Sequence, residues 1–204
     1  MSDPTRSACT APVDRAQQVR DTALSLFVQE GFGNVSLRQL GKQVGVQAGS
    51  LYQHVESKQA LLYELIEEHL EGLVEVVIQR SAKAPRVLDK LQVFVRTHLE
   101  FQRHQQECAQ LLGLELRSLH LDYKARIRPL LARYRDSLTP IIAAGITEGV
   151  FTVQDVDTAT SVVLGMLRSI AFWFREGRHP PFDQVVNQVT QMVMGALGAG
   201  PRGG

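Results

Sequence analysis

The stretch VGVQAGSLYQHVESK, residues 44–58, gathers glycine, serine, tyrosine, histidine and lysine in a segment too short to bury much surface. It lies between two apolar segments with helical spacing. Gly45 interrupts that spacing, as a residue without a Cβ does where a tight turn needs a positive φ. Two short helices should flank the turn. In the second, Gln47 to His54, Leu51 and Val55 are four residues apart and can face a core while the other side chains point outwards.

Two short helices joined by a glycine turn, with the small Gly41 where they approach each other, are typical of a helix-turn-helix. The outward face of the second helix carries hydrogen-bonding groups, and the major groove of DNA admits a helix and offers matching donors and acceptors. Tyr52, His54 and Lys58 should contact phosphates, as should the helix N-terminus at Ser36. The alternative is a solvated helical corner without a ligand. The residues predicted to contact DNA are Ser36, Arg38, Gln47, Ala48, Gly49, Ser50, Tyr52, Gln53, His54 and Lys58.

Composition is that of an ordinary globular chain: 204 residues, 44% of them hydrophobic, with a formal net charge of +1. Bulk charge therefore gives no argument for nucleic-acid binding, which must rest on a local surface. Cys9 and Cys108 lie far apart and form no metal-finger spacing, which favours a reducing compartment. The N-terminus lacks the apolar core of a signal peptide, and Arg168 interrupts the most apolar late stretch before it can span a bilayer. We expect a cytoplasmic protein without a membrane segment.

Hydrophobic periodicity is helical along the whole chain, and no stretch alternates like a strand, so an all-α fold is predicted. The first helix should end at Gly31, Ser36 and Gln39 should form a capping box, and Ser57 should cap a long helix that ends at about Arg80. The first helix should bury Val19, Ala23, Leu26 and Phe27. Later helices should span roughly 86–103, 105–119, 122–146, 155–176 and 182–197, with Asp155 as a cap and Pro181 in a first turn.

These elements predict an N-terminal three-helix helix-turn-helix domain followed by a larger helical domain. The boundaries are a disordered tail at 1–13, the DNA-binding domain at 14–60, a connecting helix at 61–80, the larger domain at 81–198 and a second disordered tail at 199–204.

The stretch from Ala16 to Leu73 resembles the DNA-binding domain of the TetR family of bacterial repressors. The likeness lies in the run ALSLFVQEGFGNVSLRQLGKQVGVQAGSLYQHVESKQALLYELI. The family pattern has a first helix ending in Gly-Phe, a second opening at Ser, a Gly-Val turn, a Gly-Ser-Leu-Tyr-x-His core and a Lys that heads the fourth helix. Those positions are Gly31, Phe32, Ser36, Gly45, Val46, Gly49 to His54 and Lys58.

Gln47 stands where relatives often have Ser and is a weaker cap for the recognition helix. Val35 replaces a common Thr, and Val55 replaces a frequent Phe. These departures concern base preference rather than the mode of binding.

The resemblance implies a ligand-responsive regulator, most simply a repressor released from a palindromic operator, that works as a homodimer through its larger domain. Apolar stripes in the last two helices give separate support, because two such helices per chain can pair into a four-helix bundle across a twofold axis. The alternative is that both helices only complete the monomer core. The predicted dimer interface is Val162, Met166, Ile170, Phe174, Val185, Val189 and Met192.

For the small-molecule effector, the stretch RSLHLDYKARIRPLLARYRD carries a local excess of arginine and lysine, which suits an anionic ligand. The region also looks like family members that sense acyl-coenzyme A compounds, although a basic run is often only a solvated face. Pro129 and Pro140 should kink one long helix and leave room for a cavity. Its predicted lining is Phe94, His98, Phe101, Leu111, Leu114, Arg117, Tyr134, Met166 and Trp173, each of which has ordinary core packing as its alternative.

Other classes of function fit less well. No catalytic motif appears, so the chain should not be an enzyme, and we predict no cofactor. A metal sensor is one alternative, because His104 and Glu107 have the i, i+3 spacing that can share an ion, but the sequence lacks a tighter cluster and we predict no metal site. A regulator of efflux genes that senses an apolar compound is another.

Overall fold

A computed structural model describes residues 15–46, 48–53 and 55–199 of the chain. The predicted tail 1–13 lies outside these ranges, as do the predicted tail 199–204 except residue 199, and Gln47 and His54. Helices make up the described part and no strand occurs in it, so the predicted all-α class is confirmed. The helices are α1 Arg15–Glu30, α2 Leu37–Val44, α3 Ala48–Leu51, α4 Lys58–Ser81, α5 Val87–His104, α6 Gln106–Glu115, α7 Leu121–Asp136, α8 Thr139–Thr147, α9 Val156–Trp173 and α10 Phe182–Ala196.

The N-terminal head, α1 to α3 with the start of α4, is built around the predicted stripe of α1. All of its members are buried, and Phe27 meets Phe32 edge to face with ring centroids 5.1 Å apart. Ser36 caps α2 by accepting a hydrogen bond from the Gln39 amide at 3.1 Å. The other half of the predicted capping box is absent, because the Gln39 side chain donates to Glu30 instead, at 2.8 Å.

The recognition helix is shorter than predicted. Gly45 does take a positive φ of 74°, and the turn is tight enough that a Cβ on Gly41 would lie 3.2 Å from the Val46 carbonyl oxygen. However, α3 keeps α-helical geometry only over Ala48–Leu51 and continues as a turn. A helix of one turn forms few backbone hydrogen bonds relative to the conformational entropy lost in ordering its residues. Such a helix is therefore shortened easily when its N-cap is weak.

The long α4 joins the head to the larger domain, referred to below as the body. Ser57 caps it by accepting from the Ala60 amide at 3.0 Å, as predicted, and the helix continues to Ser81. It packs against α1 in the head and against α5, α6 and α7 in the body. Because α4 runs unbroken from Lys58, the predicted division at residue 60 falls within one helix and stays a prediction.

Proline decides where the body helices break. The predicted helix 122–146 is two helices, because Pro140 lies in the first turn of α8, where its missing N–H costs least, while Pro129 is tolerated inside α7. Pro181 stands just before α10 rather than in its first turn, and Asp155 caps α9 as predicted, accepting from the Thr158 amide at 2.6 Å. At the centre, α5 packs against α4, α8, α9 and α10. No helix in the described ranges is long and apolar enough to cross a membrane.

Candidate DNA-binding head and effector cavity

The α3 segment presents a polar face to solvent. Leu51 and Val55 are buried beneath it, as the spacing predicted, while Gly49, Ser50 and Gln53 are exposed and Tyr52 is 62% exposed. The side chains of Gln47, Ala48 and His54 lie outside the described part of the chain. The described positions thus form a hydrogen-bonding surface with a small residue at its start, which suits close approach to DNA.

The N-terminus of α2 lies beside this surface. Ser36 and Arg38 are both exposed. The Ser36 oxygen is engaged as a cap but its hydroxyl hydrogen is still able to donate, and Arg38 forms no ion pair among the described residues. Both side chains therefore keep the free donors that a phosphate contact requires.

Lys58 differs from its predicted role as a phosphate contact. Its ammonium is directed into the head, where it donates to the carbonyl oxygens of Phe32 and Val35 at 2.7 Å each. It also lies 4.2 Å from the centroid of the Phe32 ring. Burial lowers the pKa of Lys58, and the negative charge of Glu115 partly opposes that shift. Lys58 is thus a clamp between α4 and the turn before α2.

A cavity of about 650 Å³ lies in the body between α4, α5, α6, α7 and α9. Its walls are mostly aliphatic and aromatic, as is usual for small-molecule sites. The ring of Phe172 closes it against α6 at Gly113, where a Cβ would lie 2.6 Å from the ring. Of the predicted lining residues, Leu114, Arg117 and Tyr134 are present in its wall.

The other predicted lining residues do not line this cavity. Phe94 and His98 on the enclosed α5, and Leu111 on α6, are fully buried in the core. Phe101 and Met166 pack against the core away from the cavity, and Trp173 is exposed and packs on His179. Other wall residues were not predicted from the sequence. Those on α9 follow an i, i+3 and i+4 spacing that could have indicated them, and the rest lie on α4, α5 and α7. They include Leu70, Gln102, Leu131, Gly165, Arg168, Ser169 and Phe172.

One part of the wall is polar and buried. The Tyr134 hydroxyl lies 2.7 Å from Nε2 of His98. His98 Nδ1 and Gln102 Oε1 are buried and have no hydrogen-bond partner among the described residues. Burial lowers the pKa of His98 to about 3, helped by the positive charge of Arg168, so the imidazole is neutral. Burial also raises the pKa of Tyr134, which keeps the phenol protonated.

Two arginines add positive charge to the cavity. Arg117 and Arg168 line it, are exposed, and form no ion pair with any described carboxylate. Two other arginines of the basic stretch have partners elsewhere: Arg135 pairs with Asp157 at 2.7 Å, and Arg126 lies 4.4 Å from the centroid of Tyr63. Arg128 and Arg133 are exposed and do not line the cavity. Of the basic residues predicted to bind an anionic ligand, Arg117 lines the cavity. Arg168, which was not predicted, lines it as well.

The predicted dimer interface is only partly available. Ile170, Phe174 and Val185 are buried in the monomer core and cannot meet a second chain. Met166 and Val189 are partly covered by the core. An amphipathic stripe shows that a helix buries a face, but not whether its own chain or another covers that face. Val162 is 50% exposed and Met192 is 62% exposed.

No group of three or more metal-ligating side chains occurs in the described part of the chain. His104 Nδ1 meets the Glu100 carbonyl oxygen at 2.7 Å, which is an ordinary helical contact, and the metal-sensor alternative gains nothing from the structure.

Two family models account for most of the chain. The model described as bacterial regulatory proteins, tetR family, matches residues 19–65. The model described as the Tetracyclin repressor-like C-terminal domain matches residues 84–197. The chain therefore belongs to the TetR family of DNA-binding transcriptional regulators and is not an enzyme, and the resemblance drawn from the opening stretch is confirmed.

Several relatives match over nearly their full length. The fatty acid metabolism regulator protein of Bacillus subtilis is 21% identical over 182 residues, 88% of this chain and 94% of that protein. A solved regulatory protein in the tetR family from Rhodococcus RHA1 has a TM-score of 0.85 at 21% identity, covering 92% of this chain and 99% of that one. AibR, solved with isovaleryl coenzyme A and operator DNA, has a TM-score of 0.77 at 19% identity, covering 88% and 97%. The likeness to both structures establishes the fold.

The clamp assigned to Lys58 is tested by replacing it with Met. Lys58→Met should lower the free energy of unfolding by about 1–3 kcal/mol, because two backbone carbonyls lose a charged donor. Arg38→Ala is the matched comparison. It should change the free energy of unfolding by no more than about 0.5 kcal/mol, but it should reduce the slope of log affinity for DNA against log salt concentration by about the value of one phosphate contact. Urea unfolding and anisotropy at several salt concentrations measure both. A Lys58→Met protein of normal stability with a reduced salt slope would restore the phosphate role.

The buried histidines predict acid sensitivity. The pKa of His98 is lowered to about 3 and that of His69 to about 4 by burial, whereas both return to about 6.5 on unfolding. The unfolded chain therefore binds protons first, and the free energy of unfolding should fall as pH drops below about 6.5, by up to about 1.4 kcal/mol per pH unit for each histidine. His98→Phe should remove about half of this slope in urea unfolding between about pH 6.5 and 5. Exposed His120→Gln should leave the slope unchanged; an unaltered slope in His98→Phe would contradict the assignment.

Proposed function

We propose that the protein is a cytoplasmic homodimeric repressor that binds a palindromic operator and is released by an anionic, acyl-coenzyme A-type effector. The observation that carries the proposal is the pairing, in one chain, of an exposed polar α3 with an apolar cavity that holds two unpaired arginines. The α3 face supplies contacts to base edges in the major groove, and Ser36, Arg38 and Tyr52 supply contacts to phosphates.

Dimerisation is supported by the exposed faces of α9 and α10. Val162 on α9, and Met192 and Ala196 on α10, are exposed and leave apolar side chains in solvent. Two such helices per chain can form a four-helix bundle across a twofold axis. A dimer also places two recognition segments on the DNA, and a single short segment would bind weakly.

The effector class is supported by the balance of the cavity wall. An acyl chain would bury its methylene groups against Leu70, Leu112 and Leu131, while phosphate groups outside would meet Arg117 and Arg168. The relatives agree with this chemistry, since one is a regulator of fatty acid metabolism and another was solved with isovaleryl coenzyme A. A purely apolar effector, as in the efflux alternative, would leave the two arginines without a use.

One segment connects the cavity to the head. In α6 and the 3₁₀ turn that follows, Leu116 and Arg117 face the cavity, while the neighbouring Glu115 accepts a hydrogen bond from the Phe32 amide at 3.1 Å. The same turn is held to α4, because Gln59 donates to the Ser118 carbonyl oxygen at 2.9 Å. An effector that displaces this turn therefore moves the head. Since both heads must match the operator at once, a small displacement is enough to favour the unbound state.

Fluorescence anisotropy on DNA from upstream of the protein's own gene tests the proposal. Tight, salt-sensitive binding of two chains to one palindromic segment, reversed by octanoyl-coenzyme A, is expected. Gln53→Ala should also relax base preference at one position by about 1–3 kcal/mol, whereas exposed Glu75→Ala on α4 should not. Weak binding to all sequences alike would overturn the operator assignment, and specific binding undisturbed by the thioester would overturn the effector.

The link through Glu115 is tested by Glu115→Ala. Removing the acceptor should leave effector binding intact, as measured by isothermal titration calorimetry with octanoyl-coenzyme A. The effector weakens DNA binding by some factor in the wild type. Glu115→Ala should reduce that factor by about tenfold, because the coupling free energy is of order 1–3 kcal/mol. Glu115→Gln keeps an acceptor for the Phe32 amide and should retain most of the coupling. Full coupling in Glu115→Ala would show that the signal travels by another route.

A further inference from the structure

A buried amide in the cavity wall has no use in the fold. Gln102 is 2% exposed, lines the cavity, and its Oε1 has no hydrogen-bond partner among the described residues. Buried side-chain polar atoms are nearly always hydrogen-bonded, since leaving one unpaired forfeits its hydration. An apolar residue of similar size would pack here without that loss. The glutamine is therefore suited to a partner that the chain itself does not supply.

A donor lines the same cavity as this acceptor. His98 is neutral and Nδ1 has no partner, so its proton can be on either ring nitrogen. An unpaired N–H is rarer in protein interiors than an unpaired acceptor, which places the proton on Nε2, where it is donated to the Tyr134 oxygen across 2.7 Å. The Tyr134 hydroxyl hydrogen is then free to be donated into the cavity that Tyr134 lines.

Helical geometry brings donor and acceptor together. His98 and Gln102 are four residues apart on α5, so they lie on one face of that helix with Cβ atoms about 5–6 Å apart. Tyr134 is in contact with the first and shares the cavity with the second. One small group that both accepts and donates can therefore bridge Tyr134 and Gln102.

We propose that the effector carries a hydroxyl group on its acyl chain, which accepts a hydrogen bond from Tyr134 and donates one to Gln102. The inference rests on the proposed function and specifies the chemistry of the same cavity. A plain alkyl chain would bury both polar groups without partners. A ketone could accept from Tyr134 and from the Gln102 amide nitrogen, but it would leave the buried Oε1 unpaired because it has no hydrogen to offer that oxygen. A hydroxyl satisfies both.

Release of operator DNA by thioesters of one chain length tests this specificity. Octanoyl-coenzyme A is compared with both enantiomers of 3-hydroxyoctanoyl-coenzyme A, with 8-hydroxyoctanoyl-coenzyme A and with 3-oxooctanoyl-coenzyme A. At least one hydroxylated thioester should act at about tenfold lower concentration than octanoyl-coenzyme A, since a site built to bind a hydroxyl discriminates against analogues that lack it. Equal potency of the alkyl and hydroxylated thioesters, or a preference for the ketone, would overturn the proposal.

Variants locate the preference. Gln102→Leu and Tyr134→Phe should each reduce the ratio of the half-release concentrations of the octanoyl and hydroxylated thioesters from about tenfold to about one. Gln92→Leu makes the same change at an exposed position of α5 and should keep the advantage. An advantage that persists in both cavity variants would overturn the assignment even if the wild-type preference is present. Release by octanoyl-coenzyme A without any hydroxyl preference would reject this inference alone, whereas failure of every thioester would reject the proposed effector class with it.

Discussion

The ammonium of Lys58, shared between the carbonyl oxygens of Phe32 and Val35, fixes the head on the end of α4. A partly buried charge loses hydration, and here two short bonds to carbonyls and a ring face offset that loss. Because α4 continues from this clamp into the body without a break, the direction of the head follows the direction of one helix. A ligand that shifts the body side of this helix, or the turn beside it, therefore moves α3 as a unit with the head.

The body combines two kinds of interior. Most of it is a dry aliphatic core around α5, whose packing supplies the free energy of folding. Beside this core lies a small polar group made of His98, Gln102 and Tyr134. The bond between the histidine and the tyrosine is the only side-chain hydrogen bond that it forms among the described residues. Buried polar groups without hydrogen-bond partners lower the free energy of unfolding. In a binding site, a bound ligand that supplies the partners compensates for this loss. For the proposed effector, the aliphatic part of the cavity wall would thus supply affinity and the polar part would supply specificity.

Much of the head could be predicted from the sequence, because local signals decide it. The stripe of α1, the caps at Ser36 and Ser57, and the turn at Gly45 each depend on neighbours within a few residues. The cavity and the interface could not be predicted as well, since periodicity shows that a helix buries a face without showing what covers it. Ile170 and Phe174 proved to be monomer core for that reason, and Gln102 was missed because a glutamine within a helix has no distinctive pattern. Lys58 was misassigned because its interior acceptors are distant in sequence.

The inward direction of Lys58 also affects how the protein finds its target among other DNA. Arg20 is engaged with Glu64 and Glu68, so the cations that the described head leaves at its surface are few, and the whole chain has a net charge of only +1. Non-specific attraction to the phosphate backbone depends on such charges. We therefore expect little binding to unrelated sequence, so that in the proposed dimer the affinity for DNA would come mainly from the fit of both heads to one site.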